Sequence, residues 1–273
     1  LRERKNPLSK KAQTQPMLAI THLPSPSFNE CQLTFLNRQP IALPLAVQQH
    51  RNYCEALCQE GLEVITLSGN SHLPDCAFVE DAAVVLDEIA IICSPRTTAR
   101  QGEIEVIEEA LSSYRRIERI LFPATLEGGD VLRIGRKLYV GKTTRTNTPG
   151  IEALRQTVSK FGYEVAPVAV QGALHLKTAC TALDSDTLLL NPAWIDSRIF
   201  KGFKIIEVAA EESFAANTLP LPPRVFMNAA CPLTIDHVER EGIKVLPLVI
   251  SEFSKAEAGL TCLSLVFDKG IGK

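Results

Sequence analysis

Four tetrapeptides of one kind recur along the chain: Gly61-Leu62-Glu63-Val64, Gly162-Tyr163-Glu164-Val165, Gly202-Phe203-Lys204-Ile205 and Gly242-Ile243-Lys244-Val245. Each reads glycine, apolar, charged, β-branched. Each follows a helix-like stretch and opens a strand-like one. A glycine just past a helix takes the left-handed conformation that ends it. The last three glycines are 40 residues apart, and Gly61 precedes Gly162 by 101, about two units with an insertion. The unit between them lies near Tyr114, where Ile104, Ile107 and Leu111 form a helical stripe ahead of Ile117-Glu118-Arg119-Ile120. That makes five similar units, the second without its glycine. A repeat of strands and one helix at a fixed period points to a radial or stacked architecture. Five units closed in a ring leave no long sheet edge exposed. They also bring loops from every unit to one end of the axis.

Helix–glycine–strand is common in α/β proteins, so the repeat alone says little about chemistry. Composition narrows the classes. The 273 residues suit one large domain or two small ones. Residues 1–16, LRERKNPLSKKAQTQP, are basic and without periodicity and read as a disordered tail, leaving 17–273 as a single five-module domain. A net charge of −2 argues against a nucleic-acid binder. No apolar run approaches the ~20 residues of a membrane span. Eight cysteines occur with no Cys-x-x-Cys pair among them. They read as reduced thiols in a cytosolic (cytoplasmic) protein.

Several stretches carry candidate chemistry. Leu73–Asp81 gathers Asp75, Glu80 and Asp81 around Phe78 and Val79, then runs into strand-like Ala82–Leu86. Carboxylates at the mouth of a buried strand need a cation. A divalent-ion loop would carry more oxygen ligands at regular spacing. A planar guanidinium is the better match, because paired carboxylates grip it along two edges. A solvated acidic turn is the third reading. Arg96 and Arg100 follow in a loop ahead of a helix, each either a surface residue or a bidentate carboxylate holder. Leu126-Glu127-Gly128-Gly129-Asp130 sets two acids around two glycines, a pattern for close backbone approach or for a hairpin. Arg145 follows the strand-like Tyr139-Val140-Gly141-Lys142. His175 and Cys262 each sit in a short apolar run. Taken singly, each reads as a buried core residue. A cysteine with a histidine and an orienting acid is an activated thiol.

In order along the chain, Phe78-Val79-Glu80-Asp81, Leu126-Glu127-Gly128-Gly129-Asp130, Arg145-Thr146-Asn147, Leu174-His175-Leu176-Lys177-Thr178 and Gly259-Leu260-Thr261-Cys262-Leu263-Ser264-Leu265 resemble the dimethylarginine dimethylaminohydrolase family, guanidine-modifying enzymes of the pentein class. The resemblance runs from about Met17 to Asp268. It implies an α/β-propeller of five-fold pseudosymmetry. It implies Cys262 as nucleophile, His175 as acid and base, and Glu127 as the acid orienting His175. Asp75, Glu80 and Asp81 match pocket carboxylates, Arg100 and Arg145 the groups that receive a substrate α-carboxylate, and Glu257 a further substrate contact. The implied reaction hydrolyses Nω-methylated arginine, asymmetric dimethylarginine or monomethylarginine, to citrulline and an alkylamine through a covalent Cys-thiouronium intermediate. It implies no cofactor and no metal. The implied partner is a small-molecule guanidino amino acid, with neither nucleic acid nor membrane, in a monomer or homodimer.

Three positions depart from the family pattern. Glu257-Ala258 stands where Asp-Gly is usual, and His22 where arginine is frequent. Lys177 stands where the related arginine deiminases carry an acid, which favours a substrate bearing N-alkyl bulk. Two alternatives remain open: another guanidine- or ureido-modifying hydrolase acting on arginine or citrulline, and a non-catalytic pentein binding protein.

Overall fold

A computed structural model describes residues 16–70 and 72–270. The tail expected over 1–16 lies outside the described residues except for Pro16. The described residues build five three-stranded sheets. The first begins with β1 (Met17–His22), α1 (Leu43–Gln59) and β2 (Glu63–Leu67). The second is β3 (Ala83–Val85), β4 (Ile89–Ile92), α2 (Ile104–Ser112) and β5 (Arg116–Arg119). The third is β6 (Val131–Ile134), β7 (Lys137–Lys142), α3 (Thr148–Ser159) and β8 (Glu164–Ala169). The fourth is α4 (Leu176–Ala179), β9 (Cys180–Ala182), β10 (Thr187–Leu190) and β11 (Lys204–Glu207). The fifth is β12 (Leu219–Leu221), β13 (Arg224–Asn228), α5 (Pro232–Arg240) and β14 (Lys244–Leu248). After α6 (Ser251–Ser254), β15 (Leu265–Asp268) returns to pair antiparallel with β1, completing the first sheet.

Every sheet repeats one grammar: an antiparallel pair, then a crossover to a parallel partner. The middle strand is apolar on both faces, as a strand covered on both sides must be. In β4, Ile89 and Ile91 point toward the third module, while Ala90 and Ile92 point toward the first. In β10, Leu188 and Leu190 face the third module and Leu189 the fifth. In β13, Val225 and Met227 face the fourth module and Phe226 the first. The period-two alternation thus feeds five separate cores, one between each neighbouring pair of modules. Each fully buried Leu or Ile contributes about 1.5–3 kcal/mol. Neighbour packing therefore holds the pseudosymmetric α/β-propeller together, without one common centre.

The four repeated glycines all take positive φ, at 88°, 76°, 94° and 82°, ending each helix or turn before the parallel strand. In the second module, where glycine is missing, α2 runs into Ser113 at φ −71° and turns without a left-handed residue.

Two expectations are corrected. The fourth module has no α-helix between β10 and β11, only a 3-10 turn at Ser197–Ile199. Local turn chemistry competes there: the Asn191 side chain accepts from Ala193 N, Pro192 follows Asn191, and Asp196 accepts from Arg198 N. On α1 the sequence spaces Val47, His50, Cys54, Leu57 and Cys58 as a helical stripe, but the buried face is rotated from it. The buried face is Ala46, Gln49, His50, Tyr53, Ala56 and Leu57, and Cys58 is exposed.

Candidate active site

The turns that lead into the first strand of each module meet at one end of the axis. Val79–Ala82 precedes β3, Gly128–Asp130 precedes β6, and His175 with α4 precedes β9. Asn217 precedes β12, and the turn Thr261–Leu263 precedes β15. Pseudosymmetry thus places Asp81, Glu127, His175 and Cys262 at equivalent points of different modules. Cys262 belongs to the first module, since β15 pairs with β1.

Neither His175 nor Cys262 lies in a strand, although each sits in a short apolar run. His175 has extended backbone and caps one turn of helix. Cys262 lies inside a 3-10 turn, 8% exposed. The apolar residues beside them anchor the turns in the cores, and the two reactive side chains line a shared cavity with Asp75, Asp81, Arg145 and Glu257.

His175 Nε2 is 2.8 Å from Glu127 Oε2 and 3.7 Å from Asp81 Oδ1. Gly129 makes this approach possible: a Cβ there would lie 2.6 Å from Asp81 Oδ1 and 2.8 Å from His175 Cγ. Burial alone would lower the His175 pKa. The Asp81 charge, the Glu127 hydrogen bond and the Asp130 charge outweigh it and raise the imidazole to about 9. Asp81 is opposed by its own burial, but the His175 and Arg100 charges hold it down at about 2. The same partnership keeps Glu127 below the usual carboxylate range. His175 is therefore a cation between two anions at neutral pH.

Cys262 behaves in the opposite way. Burial, then the charges of Glu80 and Asp81, push its thiol up to about 12. The resting sulfur is a thiol, whatever its later role.

The other candidate residues divide. Asp75 lines the cavity and accepts from Gln32 N at 3.2 Å. Arg145 Nη1 faces Glu127 Oε1 at 3.7 Å, and neither atom has a hydrogen-bond partner. Arg145 Nη2 reaches Thr34 Oγ1 at 3.4 Å.

Glu80 is corrected: it lies outside this cavity, beneath the Cys262 turn. One oxygen pairs with Lys177 and the other accepts from Thr261 Oγ1 at 2.6 Å. Lys177 pairs with this buried carboxylate and draws it inward.

Arg100 is corrected too. Its guanidinium donates to Glu103, to Asp81 Oδ2 at 2.7 Å and to the Phe78 carbonyl. It braces the carboxylates and presents no open fork, because the 3-10 turn Thr98–Glu103 places Glu103 three residues along.

Glu257, at φ 59°, directs its carboxylate into the backbone of a loop from the first module. Thr34 N donates to it at 3.0 Å, and Phe35 N and Leu36 N donate as well. His22 stays away from the cavity, buried between the Leu23 carbonyl and Asn70 N.

Three residues of the site carry no motif that announces their part in it. Asn217 Oδ1 accepts from Thr261 N at 2.9 Å, tying the fifth module to the cysteine turn. Tyr53 donates to the Leu260 carbonyl or Ser264 Oγ from the buried face of α1. Asp130 stands out in the sequence only as half of a glycine-flanking pair. Correctly phased helical periodicity would have found Tyr53; nothing local marks Asn217.

The cavity itself measures about 20 Å³, room for about one water. The loop around Gln32–Leu36, stitched down by Asp75, Arg145 and Glu257, closes it. Asp81, Glu127 and His175 offer ligand atoms within 4.8 Å of one another, a spacing a metal ion would accept. Here Arg100 and protonated His175 already bring positive charge to those carboxylates.

The family model for N,N dimethylarginine dimethylhydrolase, eukaryotic, matches residues 24–222. N(G),N(G)-dimethylarginine dimethylaminohydrolase of Pseudomonas aeruginosa is 35% identical over 224 residues, 81% of this chain and 88% of the relative. The protein of the same name from Streptomyces coelicolor is 35% identical over 249 residues, 90% and 95% of the two chains. A crystal structure of the Pseudomonas aeruginosa enzyme, a cysteine-to-serine mutant complexed with citrulline, superposes with a TM-score of 0.89 at 32% identity. It covers 93% of this chain and 100% of the other. A histidine-to-glycine dimethylarginine dimethylaminohydrolase in adduct with S-methyl-L-thiocitrulline gives a TM-score of 0.88, also at 32% identity, with the same coverage.

Proposed function

The chain belongs to the dimethylarginine dimethylaminohydrolase family, and from that premise we propose that it hydrolyses Nω-methylated L-arginine to citrulline and an alkylamine, with Cys262, His175 and Glu127 as its catalytic residues. The observation that carries this reading is the His175 imidazole held 2.8 Å from Glu127 and 3.7 Å from Asp81 in the same cavity as Cys262.

A guanidinium carbon is a poor electrophile, and its amine cannot depart as an anion. Asp81 holds the guanidinium plane. The arriving cation offsets the negative field that keeps Cys262 protonated, so the thiol releases its proton to solvent and the thiolate attacks the carbon. Protonated His175 then delivers a ring N–H proton to the departing alkylamine, leaving an S-alkylthiouronium. Neutral His175 takes a proton from water and hydroxide adds to the carbon; the C–S bond then breaks as the citrulline carbonyl forms, and the hydroxyl proton passes to the leaving sulfur, restoring the resting thiol. Glu127 orients the ring throughout and stabilises its charged form.

Arg145 Nη1, buried and without a hydrogen-bond partner, receives the α-carboxylate, and Asp75 the α-ammonium. Substrate entry requires the loop at Gln32–Leu36 to lift. Asp75 and Arg145 then exchange loop contacts for the amino-acid end of the substrate. With Lys177 paired to Glu80, no second carboxylate grips an unsubstituted guanidinium edge from that side, which favours N-alkylated substrate over arginine. No helix among the described residues is long and apolar enough to cross a membrane. The free cysteines fit a cytosolic enzyme.

The test is turnover of asymmetric dimethylarginine, monomethylarginine, arginine, agmatine and citrulline, with citrulline and amine release measured for wild type and Cys262→Ala. The expected result is release from the methylated arginines only, abolished by the substitution. Activity surviving Cys262→Ala would sink the mechanism. Turnover of arginine alone would sink the substrate assignment.

A further inference from the structure

Asp130 is a fully buried carboxylate at the heart of the site with no part in the chemistry just described. Its Oδ1 accepts from Leu176 N, the residue after His175, at 2.9 Å. Its Oδ2 accepts from Thr143 Oγ1 at 2.7 Å. Thr143 must be the donor, because its oxygen already accepts from Arg145 N at 3.0 Å and Thr146 N at 3.2 Å. Thr146 Oγ1 in turn accepts from Glu127 N at 3.2 Å.

Every group directed at Asp130 is thus a donor, and only an acceptor-only side chain satisfies them all. The space is also fixed: a Cβ on Gly141 would sit 2.5 Å from Asp130 Oδ1.

We propose that Asp130 is a positioning residue that sets the His175 turn and the Arg145 turn together, coupling the acid/base group to the clamp for the substrate carboxylate. This rests on the hydrolase reading above. Two arms leave the one carboxylate. The Leu176 arm fixes where the imidazole stands, and the Thr143 arm fixes where the Arg145 guanidinium stands.

Asp130 also faces His175 electrostatically, together with Asp81 and Glu127. Arg100 stands behind those two carboxylates and Arg145 beside Glu127. Asparagine at this position removes one of the negative charges that keep His175 protonated. It also sets an amide N–H against a hydroxyl or backbone N–H that must donate.

The test is Asp130→Asn with a paired series at Thr143. In Asp130→Asn, kcat for a methylated arginine falls and KM rises. The NMR titration of the His175 imidazole moves to lower pH by about half a unit or more, and the alkaline limb of kcat/KM follows it. Thr143→Ala severs one arm, so KM rises while the His175 titration stays in place. Thr143→Ser, which keeps the hydroxyl, restores KM. An unmoved His175 titration in Asp130→Asn, or an unmoved KM in Thr143→Ala, would overturn the proposal. Should Asp130→Asn fail to fold, the Thr143 series still decides. A wild-type protein inert toward every guanidino amino acid sinks the hydrolase reading instead, and the imidazole titration then judges Asp130 by itself.

Discussion

At the scale of single residues, Glu257 illustrates how tertiary contacts decide the role of a charge. Its carboxylate reaches past the cavity and gathers the N–H groups of Thr34, Phe35 and Leu36. Hydrogen bonds to a charged group are worth about 1.5–3 kcal/mol each. The left-handed backbone of Glu257, unusual outside glycine, is held by this clamp. Glutamine at 257 keeps the volume and loses the charge. Amide exchange of Thr34–Leu36 should then accelerate roughly tenfold or more, the equivalent of about 1.4 kcal/mol. Hydrogen-exchange mass spectrometry of the loop reads this directly, and unchanged protection would mean that the loop is held by something else. Tyr53 teaches the same lesson from the other side of the site: its ring fills a core and its hydroxyl supports the backbone around Cys262.

At the scale of elements, the turns before the first strands carry the site, and the glycines in them differ in kind from the repeated glycines. Gly129 is required by space, since a methyl group would enter contact with Asp81 and His175 at once. Gly202 is required by backbone conformation, at φ 94° with nothing within 4 Å of where a methyl group would stand. Gly129→Ala should therefore lower kcat about a hundredfold or more by moving His175 off its acid, a displacement of about 1 Å sufficing. Gly202→Ala should leave kcat at the wild-type value and lower stability by about 1 kcal/mol. Steady-state kinetics and thermal unfolding of the two variants separate these outcomes. Equal loss of activity in both would refute the distinction.

At the scale of the whole molecule, the ring buries its charges near the axis, and this sets how stability responds to pH. His175 has a folded pKa of about 9 against an ordinary 6.5, so its contribution is complete below 6.5 and is lost as pH rises through 9. Asp130 and Glu103, raised mainly by burial to about 6 and about 7, bind protons more tightly when folded. They too lower stability as pH rises from about 4 to 7. Asp81, held at about 2, contributes above its ordinary pKa and loses that contribution only in strong acid. Chemical denaturation at pH 5, 7 and 9 should show stability falling at each step. A protein more stable at pH 9 than at pH 5 would contradict these buried charges.

The ring was legible in the sequence because its cause is local and repeated: a glycine opens the parallel strand in four of the five modules, and an apolar middle strand recurs in each. Cys262, His175, Glu127 and Asp81 were singled out by the family resemblance and not by their local surroundings, and the fold sets these four side chains close together. What each of the remaining charges does was decided by tertiary structure alone. Glu80 turned to Lys177, Arg100 to Glu103 and Asp81, and Glu257 to the Thr34–Leu36 backbone. The physical reason is that a buried charge takes the nearest compensating partner in space, and those partners lie up to 223 residues away along the chain. The Asn191 and Asp196 turns that replaced a helix in the fourth module were written locally, but the repeat around them masked the signal. Sequence determined which groups the axis would gather; packing determined which of them would face the substrate and which would hold the others in place.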